Sequence, residues 1–281
     1  MIKIVTDSTC DLPAQFYRQH DITVVPINIQ FGTETYQDGI TIDRPTFYRR
    51  IESSGVLPKT SQPSVGQFRD AYNRLAEAGA TDILSIHVTA KLSGTFQSAE
   101  LAKEEVAGRV RVHPFDSGCG SAGLGFMALE AARMTQSGKS MAEIQARMES
   151  LRPRMNIILT LKDLHFAQMS GRVGRMQSSL SSLLNIKPIV LLEDGVIDVA
   201  DKVRTRRKAL ERLVDMVVAR VGTSAPVNLA AVHAESPAEG QSLLEQARSR
   251  FDVQESFVSD LALSLAVQFG PGTLGLVAYR I

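Results

Sequence analysis

The segment Ile83-Leu84-Ser85-Ile86-His87-Val88 and the polar turn Leu92-Ser93-Gly94-Thr95 that follows it decide the fold. The first is an apolar run rich in β-branched residues, which predicts a buried strand. After the turn, apolar side chains recur at helical spacing, at Phe96, Ala99, Ala102 and Val106. The order strand, short polar turn, helix is typical of an α/β protein.

The turn after this strand has the features of a small anion site. Ser93 is predicted at or near the N-cap of the helix, and Gly94 allows a ligand to approach the backbone closely. The first N–H groups of a helix have no partner within the helix and point outward. Serine caps many helices, however, so a purely structural role for Ser93 stays open at this point.

Two further strands end in polar turns. Residues 2–5 lead into Thr6-Asp7-Ser8, and residues 110–115 lead into Asp116-Ser117-Gly118. Ligands of open parallel sheets lie beyond the carboxyl ends of the strands, so we expect Asp7, Ser93 and Asp116 to share one edge of a crevice.

A second hydroxyl-rich element, Thr60-Ser61-Gln62-Pro63-Ser64, precedes a predicted helix. Pro63 favours an extended conformation at Gln62, and Ser64 and Gln67 have the spacing of a capping box. The sequence therefore predicts that Thr60 is held on an extended segment.

The alternation of strands and helices predicts an N-terminal α/β/α domain with a mainly parallel sheet over residues 1–155. After Arg152-Pro153 the intervals become irregular, and Glu193-Asp194-Gly195 is typical of a hairpin turn. Residues 156–281 are therefore predicted to form a C-terminal α/β domain with a mixed sheet. Its predicted strands are residues 156–161, 186–192, 196–199, 227–233, 253–258 and 274–280, and its predicted helices are residues 203–221, 236–250 and 260–268.

Composition and charge argue against a nucleic-acid-binding protein and against a membrane-spanning one. A net charge of +1 over 281 residues gives no basic field for nucleic acid, and no stretch approaches the ~18 apolar residues of a membrane span. Cys10 and Cys119 are far apart and lack neighbouring metal ligands, which indicates reduced thiols in a cytoplasmic protein. A catalytic thiol is the minor alternative.

The ordered set of motifs resembles the DegV family, and the resemblance covers nearly the whole chain. The motifs are Thr6-Asp7-Ser8, Thr60-Ser61-Gln62-Pro63-Ser64, Leu92-Ser93-Gly94-Thr95, Asp116-Ser117, Ser170-Gly171-Arg172 and Gly270-Pro271-Gly272.

This resemblance implies a carrier without catalytic activity of its own. Such proteins bind one long-chain fatty acid between two domains and need no other cofactor. The implied partner is a dihydroxyacetone-kinase-like fatty acid kinase subunit. It phosphorylates the carboxylate, and the acyl phosphate serves phospholipid synthesis.

By the same resemblance, Thr60 and Ser93 match the hydroxyls that hold the carboxylate. The family commonly has histidine two residues before Gly-Pro-Gly, where this chain has Gln268, so how the head group is completed differs here. The expected surroundings of the head group are Ser61, Gly94, Thr95 and Arg172. No catalytic residue and no metal ligand are assigned.

Physical chemistry supports a site in which the acyl tail provides the affinity and the head group only needs to be oriented. Burial contributes roughly 0.8 kcal/mol per methylene, so a sixteen-carbon tail provides on the order of 10 kcal/mol before ordering costs. The head group then needs only orientation, which two hydroxyls and helix-terminal N–H groups can supply without a buried cation.

Three other functions stay open. A serine hydrolase using Ser93 would lack a Gly-x-Ser-x-Gly turn and a recognisable histidine partner. A phosphatase or kinase could hold magnesium with Asp7 and Asp116, although both residues equally suit turns and caps. A carrier of another amphiphile is the third alternative.

A basic segment runs from residue 202 to residue 212 and includes Arg204, Arg206 and Arg207. Charge runs of this kind are usually solvated helix faces, and the alternative is a docking patch for the kinase. Arg172 and Arg175 could line the opening through which the kinase reaches the head group.

Overall fold

The computed structural model describes residues 1–162, 164–172 and 186–281. The backbone contacts divide the chain into two compact units. Unit 1 comprises Met1–Pro153 together with Ala262–Ser264, and unit 2 comprises Arg154–Leu261 together with Leu265–Ile281. The predicted α/β class is confirmed, with a parallel sheet in the N-terminal part and a mixed sheet in the C-terminal part.

The strands of unit 1 form two sheets. They are β1 (Ile2–Asp7), β2 (Ile22–Val25), β3 (Asn28–Phe31), β4 (Glu34–Gln37), β5 (Lys59–Ser61), β6 (Asp82–His87) and β7 (Arg111–Asp116). The main sheet is parallel in the order β2-β1-β6-β7, and the smaller one is antiparallel in the order β4-β3-β5. Strands β1 and β6 are central in the main sheet, which explains their near-continuous apolar sequences.

Residues 22–31 alternate apolar and polar side chains around Pro26, which predicts one strand near a sheet edge. The prediction of a single strand is wrong. The predicted strand is interrupted at Pro26 and Ile27. Its first half, β2, pairs with β1 at the edge of the parallel sheet, and its second half, β3, joins the small sheet. Pro26 has no N–H to donate to a ladder, and the N–H of Ile27 donates instead to Ser8 Oγ at 3.0 Å. Strand β4 was not predicted, because its sequence, ETYQ, does not alternate apolar and polar residues.

The helices of unit 1 are α1 (Ala14–Gln19), α2 (Arg44–Ser54), α3 (Val65–Glu77), α4 (Thr95–Glu105), α5 (Ser121–Gln136) and α6 (Met141–Leu151). Helices α1, α3, α4 and α5 pack against the parallel sheet. The sequence also predicts a cap at Asp43 and a capping box at Ser140, and these are confirmed together with the box at Ser64. Asp11-Leu12-Pro13 predicts a cap at Asp11 with proline in the first turn. That prediction is wrong, because Pro13 itself precedes α1 and the Asp11 carboxylate accepts from Ala262 N.

Unit 2 is built on a mixed sheet in the order β10-β9-β8-β13-β11-β12. Its strands are β8 (Asn156–Thr160), β9 (Lys187–Glu193), β10 (Val196–Val203), β11 (Val227–His233), β12 (Val253–Asp260) and β13 (Leu274–Arg280). Only β11 and β12 run parallel among these neighbours. The predicted hairpin turn is confirmed, with φ of 50° at Asp194 and 75° at Gly195.

The described helices of unit 2 are α7 (His165–Ser170), α8 (Arg206–Val221), α9 (Pro237–Arg248) and α10 (Leu263–Phe269), whose first two residues belong to unit 1. Strand β10 continues to Val203, so α8 begins three residues later than predicted. Ser236-Pro237-Ala238-Glu239 has the spacing of a capping box. This prediction is wrong, because the Ser236 side chain makes no cap and Glu239 pairs with Arg206. Helix α7 was not predicted, because it has too few turns to show a helical period in its sequence.

Each unit has its own apolar core. In unit 1, Phe68 and Tyr72 of α3 pack with the alanines of α4 against the sheet. In unit 2, Leu213 and Val217 of α8 and Leu243 of α9 pack against the central strands. Within the described ranges, no helix is long and apolar enough to cross a membrane.

Candidate functional site

Polar residues meet at the carboxyl edge of the parallel sheet, as predicted. Strands β1, β6 and β7 end at Asp7, His87 and Asp116, and the register pairs His87 with Asp116. The loops that follow these strands therefore leave from one edge of unit 1.

The two carboxylates at this edge hold the backbone of those loops. Asp7 is fully buried, and its oxygens accept hydrogen bonds from Val88 N at 2.9 Å and from Thr9 N at 3.0 Å. The same oxygens also contact Thr9 Oγ1 and His87 Nδ1. Asp116 Oδ1 accepts from the N–H groups of residues 90 and 118.

This arrangement does not support the metal alternative. The four contacts of Asp7 occupy its lone pairs, and among the described residues no group of three or more His, Cys, Asp or Glu is placed to hold a metal ion.

Ser93 lies just before α4 on a loop that is fixed by its own backbone. The N–H groups of Leu92 and Ser93 both donate to Thr89 O, at 3.1 and 3.3 Å. Ser93 lies near the N-cap, as predicted, since Gly94 occupies that position and α4 begins at Thr95. The half-buried Ser93 Oγ lies 2.8 Å from Thr95 Oγ1 and accepts from Thr95 N at 3.3 Å.

Thr60 lies on the extended segment that the sequence predicts. It is half-buried in β5, where it pairs with Ile29 of β3. Asn28 Nδ2 donates to Gln62 O at 3.1 Å and to Gln67 Oε1 at 3.2 Å, which ties the segment to the start of α3.

The structure brings these two hydroxyl-bearing segments together in unit 1 through a contact that the sequence did not reveal. The side chain of Gln62 lies against Gly94, where a Cβ atom would come within 2.8 Å of Gln62 Nε2. Gly94 has an ordinary φ of −75°, so the neighbouring side chain, and not the backbone conformation, requires glycine here. Ser61 and Thr95 are the chain neighbours of these two contacting residues.

Two more motifs adjoin within unit 2. Gly270 has a φ of +80°, and a Cβ atom there would lie 2.5 Å from a ring carbon of Phe166 in α7. Helix α7 ends at the motif that contains Arg172, whose guanidinium is exposed and donates to Ser170 O at 2.7 Å. Gln268 lies in the last turn of α10, beside the Gly-Pro-Gly turn.

The basic segment is largely paired with acids. Arg206 donates twice to Glu239 at 3.0 Å and lowers the pKa of that carboxyl, and Arg207 donates to Glu211 at 3.1 Å. Arg204 is exposed between β10 and α8. The prediction of a docking patch is untested, and Arg175 lies outside the described residues.

A cavity of about 460 Å³ in unit 2 connects part of this segment with the glycine-rich turn. Its lining includes the cationic side chains of Lys162, Lys187 and Arg206 together with Pro271 and Gly272.

The cysteines do not support the catalytic-thiol alternative. Both are buried, and burial raises the pKa of the Cys119 thiol to about 12 and that of Cys10 further. At neutral pH both are therefore thiols and not nucleophilic thiolates.

Comparisons with known proteins agree with the sequence motifs. The family model described as "Uncharacterised protein, DegV family" matches residues 1–280. A DegV domain-containing protein of Streptomyces coelicolor is 34% identical over 277 residues, covering 98% of this chain and 97% of the relative.

Two solved structures that resemble the chain are described as fatty acid binding. A DegV family protein from Thermus thermophilus matches with a TM-score of 0.89 and 33% identity, over 100% of this chain and 99% of that one. DegV from Bacillus subtilis, described as a fatty acid binding protein, matches with a TM-score of 0.90 and 31% identity over the same shares. From its motifs, its fold and these matches, the chain belongs to the DegV family.

Proposed function

We propose that this chain binds one long-chain fatty acid and holds its carboxylate with the hydroxyl groups of Thr60 and Ser93. The observation that carries the proposal is its similarity, over the whole chain, to solved DegV proteins that are described as fatty acid binding. The packing of Gln62 against Gly94 supports it, because that contact places the two hydroxyl-bearing segments side by side in unit 1.

The hydrogen bonds of Ser93 suit this role. When both Thr95 N and the Thr95 hydroxyl donate to Ser93 Oγ, the acceptor positions of that oxygen are filled and its own proton is left to donate. A hydroxyl that donates to a carboxylate makes a charge-assisted bond, which is stronger than a neutral one. We propose that Gln268 completes the head-group contacts and that Arg172 lies near them.

The first test is extraction of the purified protein into organic solvent, followed by mass spectrometry. We expect one long-chain fatty acid per chain. Ser93→Ala should retain this lipid, because a hydrogen bond to a charged group contributes roughly 1.5–3 kcal/mol whereas the buried tail contributes several times more. The carboxyl resonance of a ¹³C-labelled fatty acid should shift in Ser93→Ala and stay unchanged in the exposed control Ser137→Ala.

Two results would contradict this proposal. One is a purified protein that contains another amphiphile or no lipid. The other is hydrolysis of an ester or of ATP by the isolated protein that Ser93→Ala abolishes, since a carrier turns over nothing by itself.

We also propose that the protein presents the carboxylate to a partner kinase of the dihydroxyacetone-kinase-like type. The exposed Arg204 and the two lysines of the cavity beside the Gly-Pro-Gly turn, Lys162 and Lys187, support this, because they offer positive charge to an anionic partner or phosphate group. The same cavity is also lined by Glu235 and by Glu239, which pairs with Arg206. Acyl phosphate formation should fall with rising salt while lipid binding does not. Arg204→Glu should slow the reaction more than Arg207→Glu, since Glu211 already neutralises Arg207.

Gln268 provides a separate test of the head group. A glutamine amide is neutral at every pH, whereas a histidine gains charge near neutral pH. Gln268→Ala should leave the lipid bound but slow phosphorylation. Gln268→His should add a titration between about pH 6 and 7 to the ¹³C carboxyl shift. If the carboxyl shifts of the wild type and both variants coincide over that range, Gln268 has only a structural role in the turn.

A further inference from the structure

A buried chain of hydrogen bonds crosses the parallel sheet of unit 1. Tyr72 Oη lies 2.8 Å from Ser85 Oγ, which lies 2.7 Å from His87 Nε2. The other ring nitrogen, His87 Nδ1, lies 3.2 Å from Asp7 Oδ2. All four side chains are fully buried.

The serine, histidine and aspartate of this chain are connected as in a hydrolytic triad, but their setting is different. Ser85 has no exposed surface, and its oxygen faces the Tyr72 hydroxyl on the side where a substrate would have to lie. The ring of Phe68 packs edge-on against His87, with centroids 4.9 Å apart. A nucleophile must reach its substrate, so these residues serve another purpose.

The carboxylate at the end of the chain fixes the direction of the bond from His87, and a neutral ring then fixes the direction of the others. An aspartate carboxylate only accepts, so His87 donates its Nδ1–H to Asp7. The neutral ring then accepts at Nε2 from the Ser85 hydroxyl, and Ser85 Oγ in turn accepts from Tyr72. Each buried polar group has a partner in this arrangement, and the histidine tautomer is fixed.

The carboxylate at the end of the chain determines where the next loop begins. Asp7 Oδ2, which accepts the hydrogen bond from His87 Nδ1, also accepts one from Val88 N at 2.9 Å. The next residue, Thr89, is held through its N–H by Cys119 O at 2.8 Å. Its carbonyl oxygen accepts the N–H of Ser93. The hydrogen bond from Val88 N to the carboxylate, the peptide bond between Val88 and Thr89, and the hydrogen bond from Ser93 N to Thr89 O therefore connect Asp7 to the residue proposed to contact the ligand.

We propose that Asp7 is a positioning residue for Ser93, and that the hydrogen bonds from Ser85 to His87 and from His87 to Asp7 orient its carboxylate toward Val88. The link to the ligand rests on the proposed function, because it takes Ser93 as a contact of the fatty acid carboxylate. The position of the loop itself does not depend on that function.

The first experiment measures amide hydrogen exchange by NMR in the full chain. In Asp7→Asn, the side-chain amide cannot accept from all four donors, so the exchange rates of Val88 and Ser93 should rise by at least about tenfold. Tyr72→Phe is the control, because Ser85 can still donate to His87, and the rates there should stay within about twofold of the wild type. Unchanged rates in Asp7→Asn, or equal rises in both variants, would overturn the proposal.

If Asp7→Asn does not fold, His87→Phe replaces it. This variant keeps the ring packing against Phe68 and removes one of the four donors to Asp7, so the exchange rates should lie between those of Tyr72→Phe and the expected rates of Asp7→Asn. Rates no higher than those of Tyr72→Phe would contradict the proposal.

A second measurement needs no variant. The ¹⁵N shifts of His87 in the wild-type protein should show a neutral ring with the proton on Nδ1. A proton on Nε2 alone or on both nitrogens would overturn the assigned direction.

The link to the ligand is read from the ¹³C carboxyl resonance of a bound labelled fatty acid. This resonance should shift in Asp7→Asn, or in His87→Phe if that variant replaces it, and stay in place in Tyr72→Phe. If Ser93→Ala itself leaves the resonance unchanged, the proposed function fails, and the exchange rates still decide whether Asp7 positions the loop. If Ser93→Ala shifts it and the variant at Asp7 or His87 does not, the positioning proposal fails.

Discussion

At the scale of single residues, the candidate site depends on a side chain that fits against a glycine. Gln62 occupies the space in front of the Gly94 α-carbon, and this packing connects the segment of Thr60 to that of Ser93. The motifs alone indicated both hydroxyls. They could not indicate the contact, because it joins residues more than thirty positions apart and has no local pattern.

Gly94→Ala tests this packing. The new methyl group would overlap the Gln62 amide, which is the mobile end of its side chain, so we expect a stability loss of less than about 1.5 kcal/mol. The ¹³C resonance of a bound carboxylate should nevertheless shift, because the Thr60 segment moves.

A double variant provides the control for this prediction. Gln62→Ala removes the overlapping atoms, so Gly94→Ala should cost less stability in that background than in the wild type. Equal costs in the two backgrounds would show that Gln62 does not restrict residue 94.

At the scale of elements, helix caps set the ends of the segments that carry the site. The capping box of Ser64 and Gln67 starts α3, with Ser64 four residues after Thr60, and Gln67 also donates to Pro26 O at 3.3 Å. The sequence predicted this element well because the box is local and its spacing is specific. Ser236 shows the limit of such patterns. A capping box there would use Glu239, but Glu239 pairs instead with Arg206, which is distant in sequence.

The chain contains a matched pair of caps for testing this role. Ser64→Ala and Ser140→Ala each remove the serine of a complete capping box, and each should lower the free energy of unfolding by about 1 kcal/mol. Only Ser64→Ala should alter the ¹³C carboxyl resonance, because α6 is not connected to the Thr60 segment. Equal spectral changes in both variants would indicate a general loss of stability.

At the scale of the whole molecule, unit 1 contains two buried carboxyls that hold a distant part of the chain. Asp11 accepts from Ala262 N at 2.8 Å, and Asp38 accepts from Ser264 N at 3.0 Å. Burial raises the pKa of Asp11 to about 8 and also raises that of Asp38. No sequence pattern predicts these contacts, because Asp11 resembles an ordinary helix cap and its partner lies 251 positions away.

The raised pKa values make stability depend on pH. Between the unfolded pKa near 4 and the native value, the native state binds more protons than the unfolded state, so stability falls as pH rises from about 4 to about 8. The slope for each carboxyl is at most about 1.4 kcal/mol per pH unit. Asp11→Asn imitates the protonated form, so it should flatten the pH dependence and raise stability at pH 8.

Urea unfolding at several pH values between 5 and 8 provides the measurement. Asp70→Asn, which changes an exposed carboxylate of α3, should run parallel to the wild type. A curve for Asp11→Asn that also ran parallel to the wild type would show that Asp11 does not titrate in this range.

The return of Ala262–Ser264 to unit 1 also affects how the protein is made. When a ribosome has synthesised the chain as far as Pro153, the N–H groups that meet Asp11 and Asp38 do not yet exist. The nascent unit 1 therefore lacks one backbone hydrogen bond to each of these carboxyls until nearly all of the remaining chain has emerged. The folding of unit 1 is consequently completed only when residues near the C-terminus pack against it.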